Sequence, residues 1–192
     1  MFNLGPKKTL TPKPLWQLQL LTGEILIEGS YNPDEFRVGS ADIFEMSCEN
    51  VLDGGGIEAF HRLSLTDVSI KPTGMLDLPP QSYPEWAITV IDQVIAIIPR
   101  DKASLQAAQK AFREYRYPLP VEIFAGPYRL RGKILSDSTI PKRSPFLMSQ
   151  IAPLAEAEIN NLLPGARMKG LRADWLLLNG GGLMHGYGLA VA

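Results

Sequence analysis

Apolar and polar residues alternate over 18–31, "LQLLTGEILIEGSY", and again over 121–134, "VEIFAGPYRLRGKI". Each copy holds two glycines separated by five residues. Setting Gly23 on Gly126 and Gly29 on Gly132 places Leu18 on Val121, Leu20 on Ile123, Ile25 on Tyr128, Ile27 on Leu130 and Tyr31 on Ile134. Strand side chains point alternately to opposite faces, so these positions share one face and are expected to be buried. The opposite face carries Leu26, Glu28 and Ser30 in the first copy and Arg129, Arg131 and Lys133 in the second. The pattern predicts two strands joined by a tight turn, at Thr22-Gly23 and at Ala125-Gly126-Pro127.

Further matches extend the repeat. "RLSLTDVSI" (62–70) pairs with "PFLMSQIAP" (145–153), setting Leu63 on Phe146, Leu65 on Met148 and Val68 on Ile151. "AITVIDQVIAII" (87–98) pairs with "DWLLLNGGGLMHG" (174–186), each an apolar run broken by a turn signal, Asp92-Gln93 or Asn179-Gly180. Asn-Gly accepts the positive φ of a hairpin turn, so a hairpin is expected in each copy. The order of strands recurs, about five per copy. The fold class expected is therefore mainly β: a tandem duplication of a small five-stranded, barrel-like module. A sheet that small must curl or stack to hide its apolar side.

Between the copies lies "DKASLQAAQKAFREYRYP". Asp101 is a good N-cap, and Leu105, Ala108, Phe112 and Tyr115 fall on one helical stripe. One amphipathic helix is expected here, ended by Pro118 and joining the modules. "SADIFEMSCENVL" reads as a short helix capped by Ser40, or as irregular chain. "PLAEAEINNLLPG" reads as a helix stopped by Pro164-Gly165, or as irregular chain. The organisation expected is an extended tail at 1–14, an acidic β module at 15–100, a linker helix at 101–117 and a basic β module at 118–192.

Composition supports a β-rich globular chain. Of 192 residues, 17 are Gly and 16 Pro, spread throughout, which favours many short elements over a helical bundle. The single cysteine, Cys48, excludes an intramolecular disulfide and a Cys-based zinc site. With no apolar run long enough to span a bilayer, and no signal-like run, the expectation is a soluble cytoplasmic protein with no membrane partner.

The net charge of −1 conceals an asymmetry. Residues 15–100 carry 4 Lys/Arg against 13 Asp/Glu, a net of −9, whereas 118–192 carry 8 against 5, a net of +3. Opposite charges on two modules favour a defined approach, within a chain or between chains.

Catalytic patterns are missing from the sequence. His61 and His185, the two histidines, have no metal-site spacing between them. "RVGSADIF" lacks the second glycine of a nucleophile elbow. Cys48 lies beside acids, which raise a thiol pKa and so disfavour the thiolate. "LDGGGIE" and "LNGGGLMHG" lack the Lys-Ser/Thr of a phosphate loop. No enzyme activity, cofactor or metal is expected.

Two binding readings follow. The first is a non-enzymatic interaction or scaffold protein whose partner is itself or another protein. The second is RNA or single-stranded nucleic-acid binding by the basic module, through Arg129, Arg131, Lys133, Lys142 and Arg143 with Tyr187 as a stacking ring. The glycine-spaced strand pair resembles that of Sm-like proteins, which form rings and bind RNA. The resemblance covers only the segments quoted above. The glycine spacing is longer, and no Asp-x-x-x-Asn motif or later Arg-Gly signature accompanies it, so it assigns no family.

Overall fold

The computed structural model describes residues 14–34, 42–45, 47–48, 63–75, 78–88, 94–137, 151–179 and 184–189, with 88 and 184–189 as backbone only. The strands are β1 (Trp16–Thr22), β2 (Ile25–Tyr31), β3 (Leu63–Pro72), β4 (Gln81–Ile88) and β5 (Val94–Pro99), followed by helix α1 (Lys102–Ala111). Then come β6 (Tyr117–Ala125), β7 (Tyr128–Ser136), β8 (Ile151–Asn161), β9 (Gly170–Asn179) and β10 (Met184–Leu189). All ten form one antiparallel sheet in the order β10-β6-β7-β8-β9-β5-β1-β2-β3-β4. The protein is mainly β, but the sheet is open rather than closed as a barrel. Its terminal strands, β10 and β4, do not pair with each other.

The predicted strand pairs form as hairpins in matching register. Leu18 lies opposite Gly29 and Leu20 opposite Ile27, while Val121 lies opposite Gly132 and Ile123 opposite Leu130. The predicted inward residues are buried, except Ile25, which is half-buried. In the β1–β2 turn, Thr22 Oγ1 accepts from the Ile25 amide at 3.0 Å. In the β6–β7 turn, Gly126 adopts φ +54, a region that suits glycine.

A bulge follows at the same place in both hairpins. The β2–β3 register shifts between Glu28 and Ser30, and the β7–β8 register between Arg131 and Lys133. The extra residue across each shift has positive φ: Asp67 at 51° and Glu156 at 50°. The bulged strand presses onto the glycine. A Cβ on Gly29 would lie 3.1 Å from Thr66 O, and one on Gly132 would lie 2.8 Å from Ala155 O. That close approach is why the second glycine recurs.

The proposed match of Val68 to Ile151 does not hold. Through the bulge, Val68 corresponds to Ala157 and Ile70 to Ile159. Phe146 and Met148 lie outside the described residues. The predicted helix at "PLAEAEINNLLPG" is instead strand β8 as far as Asn161. Its Ala and Glu favour helix only weakly, and pairing to β7 on one side and β9 on the other overrides that preference.

The predicted hairpins at Asp92-Gln93 and Asn179-Gly180 also fail. β4 pairs with β3, and β5 pairs with β1 and β9; β9 pairs with β8 and β5, and β10 pairs with β6. Consecutive strands thus sit at opposite ends of a five-strand run. A flat run would separate β4 from β5 by about 19 Å. Ile88 and Val94 also lie at opposite ends along the strands, beside Leu63 and Thr22, so a flat run would need well over the about 20–22 Å that the chain between them can reach. The run therefore curls, and β3 and β5 share one core: Leu65 and Val68 cluster with Val94 and Ile97.

The core has two parts. The first gathers Leu18, Leu20 and Ile27 with Ala108 and Phe112 of α1 and Trp175 of β9. The second gathers Val121, Ile123, Tyr128 and Leu130 with Leu154, Ile159 and Leu176. It also takes Leu21, Leu26, Ile95 and Ile98 from the first five strands. Leu26, expected on the outer face, is therefore buried; Ser30, on the same face, is buried too, its hydroxyl accepting from Gln17 Nε2 at 2.9 Å.

Asp101 caps α1 as expected, accepting from the amides of Ala103 and Ser104 in a capping box with Ser104. The helix ends at a Phe112 C-cap, earlier than Pro118, which lies within β6. Chain at 43–45 and 47–48 is helical, and Asp42 Oδ1 accepts from the Phe44 and Glu45 amides at its start. Ser40 and the tail at 1–13 lie outside the described residues.

Candidate functional site

The basic stripe lies on β7, an interior strand between β6 and β8. Arg129 and Lys133 are half-exposed and Arg131 is exposed, all on the outer face as predicted. Carboxylates from both neighbouring strands meet them. Glu122 of β6 stands directly opposite Arg131, with 2.8 Å between Arg131 Nε and Glu122 Oε1. Arg129 Nε lies 3.4 Å from the same oxygen, in ion-pair range without hydrogen-bond geometry. Lys133 Nζ bonds Glu156 at 2.7 Å, and Arg172 of β9 pairs with Glu158 at 3.3 Å. Cross-strand pairing thus offsets much of the stripe's positive charge.

Of the remaining predicted residues, Lys142 and Arg143 lie outside the described residues. Tyr187 lies on β10 opposite Ile123, described as backbone only. The structure therefore brings together Arg129, Arg131 and Lys133, paired with two acids, Glu122 and Glu156.

The corresponding face of the first hairpin has the opposite sign. Glu28 occupies the register position of Arg131, and Gln19 that of Glu122. Glu28 accepts from Gln19 Nε2 and, at 2.6 Å, from Lys71 Nζ. Burial pushes its carboxyl pKa up. Hydrogen bonds from Lys71 and Gln19, with the charges of Lys71 and Arg100, outweigh that and hold it below the ordinary value.

Two sheet edges complete the candidate surfaces. β4 pairs only with β3, and β10 only with β6, among the described residues. β4 is exposed along Gln81, Ser82, Pro84 and Glu85, and the half-buried Tyr83 and Trp86 rings lie 4.9 Å apart. An edge strand leaves amides and carbonyls unpaired along its length. The sequence signal for this edge was Pro84, whose missing N–H suits an edge strand. The hairpin expected at 87–98 did not include most of β4.

The joint between the first five strands and the last five is the β5–β9 ladder. It is short: Ala96 opposite Leu178 and Ile97 opposite Leu177. Asn179 Nδ2 adds a buried 2.8 Å hydrogen bond to Val94 O. Beyond the ladder the strands diverge around a cleft of about 300 Å³ lined by Arg100, Lys102, Leu105, Arg172, Asp174 and Trp175, among others. On the far side, Tyr128 Oη donates to Thr73 Oγ1 at 2.6 Å, and Asn161 Nδ2 donates to Thr73 O at 2.9 Å.

Among the described residues, no three His, Cys, Asp or Glu side chains are grouped to hold a metal, and no helix is long and apolar enough to cross a membrane. No family model, curated protein or solved structure matches the chain.

Proposed function

We propose that the protein is a non-enzymatic scaffold that self-associates, built from two copies of one five-stranded module. The observation that carries this reading is the strand order. The first five strands run β5-β1-β2-β3-β4 and the last five run β10-β6-β7-β8-β9. The two runs agree position by position in sequence order, and the registers and the bulges agree as well. Duplication explains all three with one event. Modules that join edge to edge inside the chain leave an open edge at each end, and open edges favour pairing with another chain.

Opposite charges on the two runs support orientation of that encounter. The pairing of Arg129, Arg131 and Lys133 with Glu122 and Glu156 favours protein partners over nucleic acid, because an RNA backbone would have to displace those carboxylates.

Light scattering over protein concentration, at low salt and above about 0.1 M, tests the reading. Edge pairing is insensitive to salt, whereas association by charge weakens as the Debye length falls below about 10 Å. A strict monomer under both conditions refutes self-association. Salt-sensitive RNA binding that vanishes on neutralising Arg129 and Arg131 would establish the nucleic-acid alternative instead.

A further inference from the structure

We infer that β10 of one copy pairs antiparallel with β4 of a second copy, in the register of the internal β5–β9 seam. The inference rests on the self-association reading and adds its partner strand, direction and register.

The register equivalences define the geometry. Ile97 lies opposite Leu20, and Tyr187 lies opposite Ile123, the counterpart of Leu20. Ile97 therefore corresponds to Tyr187, and Ala96 to Gly186. The bulge next to this ladder recurs too, between Leu21 and Thr22 against β5 and between Met184 and Gly186 against β6. At the other edge, Leu65 lies opposite Trp86 and its counterpart Leu154 opposite Leu176. Leu177 then corresponds to Ala87 and Leu178 to Ile88. Inside the chain, Ile97 meets Leu177 and Ala96 meets Leu178. Transferred to the open edges, Tyr187 of one copy meets Ala87 of the next, and Gly186 meets Ile88.

An independent feature of β4 agrees. Pro84 in the middle of β4 has no N–H to donate, so a ladder that spans the whole strand is disfavoured, and the C-terminal end, 85–88, remains free of proline. That is the end that corresponds to the part of β9 used internally. The contact is head-to-tail, because different surfaces meet on the two copies. It is also weaker than the internal seam. Trp175, buried in the first core, corresponds to the exposed Glu85.

Two single variants in a Cys48→Ser background, Ala87→Cys and Tyr187→Cys, are mixed and mildly oxidised. Directly opposite antiparallel residues lie about 4.5–5.5 Å apart, within reach of a disulfide. The expected result is a covalent dimer in the mixture, absent from either variant alone and from a Glu85→Cys and Tyr187→Cys mixture. Hydrogen exchange on the unaltered chain provides a second reading. Raising the concentration should protect amides near 87 and 187 and spare the interior hairpins. If the protein associates without that cross-link and without that protection, the register is wrong and self-association stands. If scattering shows only monomer, both fail.

Discussion

Tyr128 of β7 donates a 2.6 Å hydrogen bond to Thr73 Oγ1, just past the end of β3, and both residues are almost fully buried. This bond ties the second hairpin to the first five strands. Tyr128→Phe leaves the Thr73 hydroxyl buried without that donor, which should cost about 1–3 kcal/mol. Tyr128→Phe with Thr73→Val removes both partners and should cost less than the sum of the single changes. Denaturant melts of the four proteins close the cycle. Strict additivity would show that the bond contributes nothing.

The glycines opposite the bulges should be intolerant of any side chain. Gly132→Ala brings a Cβ within 2.8 Å of the Ala155 carbonyl, whereas Gly29→Ala brings one to 3.1 Å from Thr66 O. Both should destabilise, Gly132→Ala more, by about 1–3 kcal/mol in equilibrium melts. An unchanged midpoint for Gly132→Ala would show that the bulge yields easily.

Register along β7 is testable with adjacent residues. Leu130 is fully buried, so Leu130→Ala should cost about 2–5 kcal/mol. Arg131 is exposed and its bond to Glu122 is solvent-screened, so Arg131→Ala should cost no more than about 1 kcal/mol. The reverse ranking would mean the strand is slipped by one residue.

Tyr115 predicts an alkaline transition. Burial, then the charges of Cys48 and Asp137, push its phenol up to about 12. The unfolded chain titrates near the ordinary value of about 10. The folded state thus holds this proton more tightly, and the stability linked to it is full below about pH 10. It is lost as pH rises through the interval up to about 12. Tyr115→Phe should flatten melting temperature over that interval. An equally steep fall in the variant would assign the loss to other groups.

The faces of the hairpins were legible in the sequence because period-two alternation encodes them directly. Leu130, Ile27 and Ile123 were assigned inward on that basis, and Asp101 was legible as a cap because capping is local. The stripe Arg129-Arg131-Lys133 was legible as one outer face. Its neutralisation was not, since Glu122 and Glu156 reach it only through strand register. The bulge at Glu156 broke the alternation of β8 and let its Ala and Glu suggest a helix.

What the sequence by itself determined is therefore local: the strands and turns of the two hairpins, the face each of their residues presents, the cap of α1 and that a pattern occurs twice. Alternation says which way a side chain points but not which strand lies beside it. Only the tertiary structure decided that β4 and β5 part company, that Leu26 is covered by a second core and that the sheet remains open at β4 and β10. Those outcomes depend on contacts between segments distant in sequence, and on the curl that allows a short connection to cross a five-strand run.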